Sequence, residues 1–231
     1  MDEIAARLAG IRERAVAAVL RSGRDPSEVE VMVVSKTFPA EVVRGVVEAG
    51  QVLLGENKVQ EALEKAPALG EGLRWHLIGQ LQRNKVRKAL PLFEAVHSVD
   101  SLKLARQIDR VAGELDLRPM VYLQVNVGAE ESKGGFGTEE MVEVVDEIKS
   151  MAHLRVEGLM CIPPAGPDAR RWFSTLRELR DGLQAGCGVP LPGLSMGMSH
   201  DFEVAIEEGA TMVRVGSAVF GERTRMVNQK K

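Results

Sequence analysis

Apolar positions recur along this chain with two alternating periods. At Ile4, Leu8, Ile11, Ala15 and Val19 they fall three or four apart, which places them on one face of a helix. Gly23 ends that pattern, and Asp25-Pro26 opens a short turn. A compact β-branched run follows, VEVMVVSK at 29–36. Such a run reads as a strand buried on both faces. Val42, Val43, Val46 and Val47 then form a helical stripe between Pro39, where a helix would start, and Gly50, where it would stop.

The alternation repeats. Apolar runs at 51–56, 74–79, 93–100, 119–127, 154–162, 191–199 and 211–221 predict further strands. The run at 191–199 is the weakest, and the last run passes into a helical turn. Helices are expected from about Asn57 to Leu69, ending near Pro91, after Asp100 as N-cap, and after Thr138 as N-cap. Another carries Trp172, Phe173, Leu176, Leu179 and Leu183, and the next runs from His200 to Glu208 before Gly209. Strands alternating with helices argue for a parallel sheet with right-handed crossovers. Eight such units in 231 residues predict an α/β fold, a single-domain (β/α)8 TIM barrel with an additional N-terminal helix. An open doubly wound sheet would carry a glycine-rich turn after its first strand. Here SKTFPAE follows, without glycine. The chain 1–231 reads as one barrel domain, with a helical extension at 1–28 and a polar tail at 222–231 expected to fray.

Composition narrows the setting. Hydrophobic residues make up 45% and charged residues 27%, as in an ordinary globular protein with a core of its own. The net charge of −3 gives no nucleic-acid footprint. The cluster Arg83, Lys85, Arg87 and Lys88 reads as a solvated helix face. Cys161 and Cys187 form no metal-ligand pattern, and the histidines show no metal spacing. The N-terminal stretch lacks the basic start of a signal peptide, and no apolar stretch approaches the roughly 20 residues of a membrane span. A reduced, cytoplasmic location away from membranes is expected.

In such a barrel, functional residues gather at the C-terminal ends of the strands. That rule nominates Lys36, Glu56, Asn57, Ser98, Asp100, Asn126, Met198, Ser199, Arg214, Gly216 and Ser217. Lys36 is the sharpest nomination, because an apolar strand delivers an amine to the barrel mouth. Partial burial lowers a lysine's pKa from about 10.4, and the neutral amine condenses with aldehydes. A lysine that only snorkels to solvent fits the position equally well. The loops GLSMGMS and VRVGSAVFG follow the last two strands, where this fold commonly binds phosphate. The hydroxyls of Ser199 and Ser217 and the bare backbone of Gly216 suit that task. With Val213 and Val215 facing the helices, Arg214 would point inward and need an acceptor. A carboxylate such as Glu56 or Asp100, a phosphate oxygen or a ring nitrogen would serve. His76 and His97 read as hydrogen-bonded core residues, and His200 borders the site.

The segments VVSKT, GENKVQEAL, WHLIGQLQRNK, HSVD, NVGAEESKGGF, GLMCIPP and LSMGMSHDFEVAIEEGATMVRVGSAVFG resemble the pyridoxal phosphate homeostasis protein family, also called YggS/PROSC. The resemblance runs from about Val31 to Gly221. It implies a barrel like the N-terminal domain of alanine racemase, carrying pyridoxal 5′-phosphate (PLP) as a Schiff base on Lys36. It further implies Ser199, Gly216 and Ser217 at the phosphate, Arg214 at the pyridine nitrogen, and Asn57 and Met198 flanking the ring. An arginine at that nitrogen weakens the ring as an electron sink, which suits a carrier. Family members commonly have tyrosine where this chain has Lys58, a second amine near the site. The chain has one tyrosine, Tyr122, and no segment resembling the racemases' second domain, so one half of a two-base mechanism is missing. The expectation is therefore a monomeric PLP carrier without strong turnover, with apo forms of PLP-dependent enzymes as candidate recipients. A PLP enzyme of narrow specificity, such as an amino-acid racemase, is the alternative. A phosphosugar-binding barrel without PLP is a third reading.

Overall fold

The computed structural model describes residues 2–130, 132–188 and 190–221. The strands are β1 Glu30–Val34, β2 Leu53–Glu56, β3 Arg74–Leu77, β4 Phe93–Val99, β5 Met120–Val125, β6 Arg155–Cys161, β7 Gly193–Met198 and β8 Met212–Val215. They pair in parallel, each with the next in the chain, and β8 returns to β1 to close the barrel. That closure sets Glu30 opposite Met212 and Val33 opposite Val215. The surrounding helices are α1 Asp2–Arg21, α2 Ala40–Glu48, α3 Val59–Leu69, α4 Val86–Ala89, α5 Leu102–Glu114, α6 Thr138–Lys149, α7 Ala169–Cys187, α8 Phe202–Glu207 and α9 Ser217–Phe220.

Strand side chains alternate between two interiors. Val33, Leu54, Trp75, Leu77, Val96, Val121, Leu159, Leu194, Val213 and Val215 point outward into one continuous core beneath the helices. Each full burial of such a side chain contributes about 1.5–3 kcal/mol, so this layer supplies most of the driving force. The intervening residues point inward. Met32, Leu53 and Met212 form a small separate apolar cluster inside the barrel. The rest of the lumen holds the buried polar residues His76, His97, Ser195 and Arg214.

The apolar stripe expected at the N-terminus exists, with Leu8, Ile11, Ala15 and Val19 buried on α1. That face packs against α8, α9 and α2. Several element ends differ from the sequence expectation. Ser101, not Asp100, caps α5, its Oγ accepting from the Leu104 N–H at 3.3 Å. Gly137 takes the N-cap position of α6, and Thr138 is the first residue of the helix. The helix expected before Pro91 shrinks to a 3-10 turn at Arg83–Lys85 and the single turn of α4. Pro91 has no N–H to donate, so the helix cannot continue through it. The tail predicted at 222–231 lies outside the described residues. Among the described residues, no helix is long and apolar enough to cross a membrane.

Candidate functional site

A cavity of about 290 Å³ opens where β1, β7 and β8 end, and Lys36, Asn57, Met198, Ser199, Arg214, Gly216 and Ser217 all line it. It lies at the lower end of the roughly 300–1,000 Å³ typical of small-molecule sites, suiting a ligand of one ring and one phosphate. A cleft of about 350 Å³ between α1 and the starts of β1 and β2 lies at the opposite, N-terminal end. That face of a barrel carries stability rather than chemistry.

Lys36 is half-buried on the loop that leaves β1. The loop is anchored from below by a buried charge cluster. Lys65 Nζ on α3 donates to the Ser35 carbonyl at 2.8 Å and to Glu56 Oε1 and Glu61 Oε1 at 2.7 Å each. Ser35 Oγ donates to the same Glu56 oxygen at 2.8 Å. Glu61 in turn accepts the Thr37 N–H. Thr37 sits at φ 70°, a left-handed conformation that a β-branched residue adopts only when its surroundings hold it there. Glu56 is fully buried, and burial raises its carboxyl pKa against the opposing pull of Lys65 and Ser35. Glu56 thus faces the helix layer rather than the barrel lumen, and it is no partner of Arg214.

The far end of the cavity gathers anion-binding donors. Ser199 Oγ accepts from the Gly216 and Ala218 N–H groups, both at 3.2 Å. Ser199 Oγ thereby takes up both backbone donors, and Ser217 lines the cavity beside it. α9 has only four residues, so any anion at this cup would meet individual N–H and O–H groups rather than a helix dipole. Gly216 lets β8 approach β1, since a Cβ there would stand 3.2 Å from the Val34 carbonyl oxygen. Asp201 pins the preceding turn by accepting the Met198 N–H at 2.6 Å.

Between these ends the walls are apolar: Val34, Phe38, Ile78, Ile162 and Met198. Phe38 stacks on Phe220 of α9 with ring centroids 4.3 Å apart, joining the Lys36 loop to the anion cup. Sequence reasoning missed this pair, which no local spacing reveals. Arg214 forms part of the cavity wall from inside the barrel. Its Nη1 donates to the Ser195 carbonyl at 2.6 Å and to Ser195 Oγ at 2.7 Å, and its Nη2 to the Cys161 carbonyl at 2.8 Å. Its acceptors are thus neutral oxygens, not the carboxylates considered from the sequence.

Other nominated residues sit elsewhere. Ser98 donates to the Gly79 carbonyl at 2.6 Å. Asp100 and Asn126 line an adjoining polar cavity of about 350 Å³ together with Gln80, Gln124 and Lys133. His200 is exposed and lines the same cavity as Lys36. Lys58 is exposed at the N-cap of α3 and lines neither cavity.

His76 and His97 form the polar interior. Their Nδ1 and Nε2 atoms lie 3.0 Å apart, and His97 Nδ1 lies 2.8 Å from Ser195 Oγ. Burial pushes His76 down to about 4 and His97 well below its ordinary value. Both rings stay neutral in the folded chain at pH values where the unfolded chain charges them. Below about pH 6.5 the unfolded state therefore binds more protons, and stability falls as pH drops towards 4. Each histidine adds up to about 1.4 kcal/mol per pH unit to that slope. Denaturant melts of wild type and His76→Leu at pH 7, 6 and 5 check this. A shallower pH slope is expected in the variant, and equal slopes would refute neutral burial.

A lysine, a cluster of serine hydroxyls and backbone N–H groups, and an inward arginine thus meet at one mouth of a closed (β/α)8 barrel. Residues 11–224 match the family model for the alanine racemase N-terminal domain. A curated relative from Aquifex aeolicus is 46% identical, with 94% of this chain and 97% of that one covered. One from Pseudomonas aeruginosa is 45% identical, with 96% and 97% covered. Both are named pyridoxal phosphate homeostasis protein. PipY of Synechococcus elongatus PCC7942, solved with PLP bound, superposes with a TM-score of 0.82 at 39% identity, covering 94% of this chain and all of that one. The chain belongs to the alanine racemase N-terminal domain family, and within it to the group of pyridoxal phosphate homeostasis proteins.

Proposed function

We propose that this chain holds PLP on Lys36 and serves the intracellular balance of PLP and amino acids, as a carrier rather than a strong catalyst. The observation that carries this reading is the single cavity shared by Lys36, the Ser199–Gly216–Ser217 cup and Arg214. The donor set fits PLP part by part. The cup offers N–H and O–H donors to a phosphate. The apolar walls from Val34, Phe38, Ile78, Ile162 and Met198 suit the two faces of an aromatic ring. Lys36 provides the primary amine, and Asn57 a polar edge. PLP, when bound, supplies an aldehyde that condenses reversibly with an amine and a ring that can draw electrons from it.

Arg214 supports the carrier role. A guanidinium donates hydrogen bonds but does not give up its proton, so it leaves a facing ring nitrogen unprotonated. The chain's one tyrosine, Tyr122, supports the same reading, because it stacks on His97 inside the barrel and lines neither cavity. One observation favours an enzyme of narrow specificity instead: the polar cavity with Asp100 and Lys133 adjoins the site and shares Asn57, Ile78 and Ile162 with it.

A cytoplasmic monomer acting away from nucleic acid and membranes, with apo forms of PLP-dependent enzymes as recipients, completes the proposal. The exposed large apolar residues are scattered over α1, α2, α6 and strand ends, which supports the monomer. Arg83, Lys85, Arg87 and Lys88 are all exposed, and Arg87 pairs with Glu114, as on a solvated face.

The test is borohydride reduction of the PLP-loaded protein followed by peptide mass mapping. The adduct is expected on Lys36, and Lys36→Ala should lose it and retain little PLP. An unchanged adduct yield in the variant would remove Lys36 from this role. The same preparation is expected to exchange the Cα hydrogen of amino acids no faster than free PLP, and sustained faster exchange would favour the enzyme.

A further inference from the structure

Arg214 is the inner end of a polar chain that crosses the barrel. The links are Arg214 to Ser195 Oγ at 2.7 Å, Ser195 Oγ to His97 Nδ1 at 2.8 Å, and His97 Nε2 to His76 Nδ1 at 3.0 Å. Beyond it, His76 Nε2 lies 3.6 Å from Glu94 Oε2 at the N-terminal end of the barrel. Side chains of β8, β7, β4 and β3 contribute in turn.

The donor inventory fixes the direction of every link. Arginine has no acceptor, so Ser195 Oγ accepts there and must place its own hydrogen elsewhere. Ser195 is fully buried, and His97 Nδ1 is its other side-chain partner, so satisfying the buried O–H makes Nδ1 the unprotonated nitrogen. A neutral His97 then carries its hydrogen on Nε2 and donates it to His76 Nδ1. His76 in turn carries its hydrogen on Nε2, on the side of Glu94 but without a hydrogen-bond partner there. An imidazolium at His97 would break this order. Its Nδ1–H would leave the buried Ser195 hydroxyl hydrogen without its acceptor, and two cations would share a dry lumen. The charged or titratable groups around the pair are Arg214 at the mouth, Glu94, Arg74 and Glu30 at the strand starts, and Tyr122 stacked on His97 at 4.3 Å.

We propose that His97 and His76 are positioning residues for the site, forming with Ser195 a one-way hydrogen-bond chain that locks the Arg214 guanidinium in its place at the cavity. The chain works through two fixed neutral tautomers. Ser195 can donate in only one direction, which keeps its lone pairs turned to Arg214. The carbonyls of Ser195 and Cys161 hold the guanidinium from the backbone, and the histidine chain decides which way the serine hydroxyl points. Of Arg214, Ser195, His97 and His76, only Arg214 lines the cavity, so an effect of the histidines on the ligand has to pass through that side chain. This inference rests on the proposed PLP site for its functional consequence but not for the tautomers.

Two measurements test it. The first is long-range proton–nitrogen NMR correlation on the nitrogen-labelled full chain without PLP. Both His76 and His97 are expected as Nε2–H tautomers that do not titrate between pH 5.5 and 8. An Nδ1–H tautomer at His97, or its protonation within that range, overturns the proposal. The second is PLP affinity by equilibrium dialysis, with the absorbance maximum of the bound ligand as a second readout. His97→Phe removes the acceptor for Ser195 and is expected to weaken PLP roughly tenfold and shift the maximum, the scale of one buried hydrogen bond. His97→Asn keeps an acceptor near the Nδ1 position and is expected to stay within about threefold of wild type. Wild-type affinity and spectrum in His97→Phe would overturn the proposal, as would equal losses in Phe and Asn variants. Where His97→Phe does not fold, Ser195→Ala takes its place with the same expected loss. Failure of the wild-type chain to bind PLP would sink the PLP reading, while the NMR result still decides the chain.

Discussion

Lys65→Met is expected to cost about 3–5 kcal/mol of stability, because it strands a buried carboxylate. Lys65 and Glu56 have side-chain exposures of 7% and 0%, and they meet at 2.7 Å. Methionine matches the lysine stem in length and fills the same channel, so little packing is lost. The cost comes from Glu56, which keeps Ser35 as a donor but loses its cation. The carboxyl then takes up a proton more readily in the folded chain than in the unfolded one. A carboxyl raised in this way contributes stability at low pH and loses it as pH rises through its folded value. The deficit of Lys65→Met is therefore expected to be larger at pH 8 than at pH 5. The double variant Lys65→Met/Glu56→Gln should recover much of the loss, since it removes the stranded charge. Urea melts of the three proteins at both pH values measure this, and a deficit below about 1 kcal/mol would contradict a buried, partnered pair. The same substitution releases the Ser35 carbonyl and Glu61, which hold the loop around Lys36. PLP retention is expected to fall with it.

That cluster also shows where the sequence stops being legible. The eight strands are readable because each is a short apolar run, and the helices between them are readable from their stripes. The barrel mouth is readable because the fold rule places function at strand ends, and strand ends are local features. Thus Lys36 after VMVV, and Ser199 and Gly216-Ser217 after the last two strands, can be nominated without any contact information. Lys65 cannot. It sits in the middle of an ordinary helix, and only the packing of α3 over β1 and β2 turns it into the anchor of the Lys36 loop. Glu56 could be placed at a strand end, but its side (helix layer or lumen) depends on strand register. His76 and His97 lie 21 residues apart on neighbouring strands, and Ser195 is 98 residues further on. Their meeting is a property of barrel closure, which sets β7 across the lumen from β4. Lys58 errs the other way. Its neighbour Asn57 reaches the cavity, and the next residue turns outward at the start of α3. Adjacency in sequence was a poor guide there, because the chain changes from strand to helix between the two.

Gly158→Ala is the other substitution expected to be severe, at about 3–5 kcal/mol, although it adds a single methyl group. Gly158 of β6 pairs in register with Gly193 of β7. An added Cβ at residue 158 would stand 1.8 Å from the Gly193 carbonyl oxygen and 2.8 Å from its Cα. Backbone atoms cannot rotate away as a side chain would, so the two strands must separate or shear. A closed barrel resists this, since displacing one strand pair disturbs the pairs on either side. Gly193 answers to the lumen. A Cβ there would come within 2.7 Å of the Tyr122 ring, so its missing side chain makes room for that ring. Tyr122 in turn stacks on His97, which holds Ser195 and through it Arg214. Gly158→Ala is thus expected to lower both stability and PLP affinity. Gly186→Ala, in α7 with open space around it, is the matched control and should be neutral or slightly stabilising. Thermal melts and PLP dialysis on both variants give the comparison. A Gly158→Ala protein as stable as wild type would mean that β6 and β7 lie farther apart than this barrel places them.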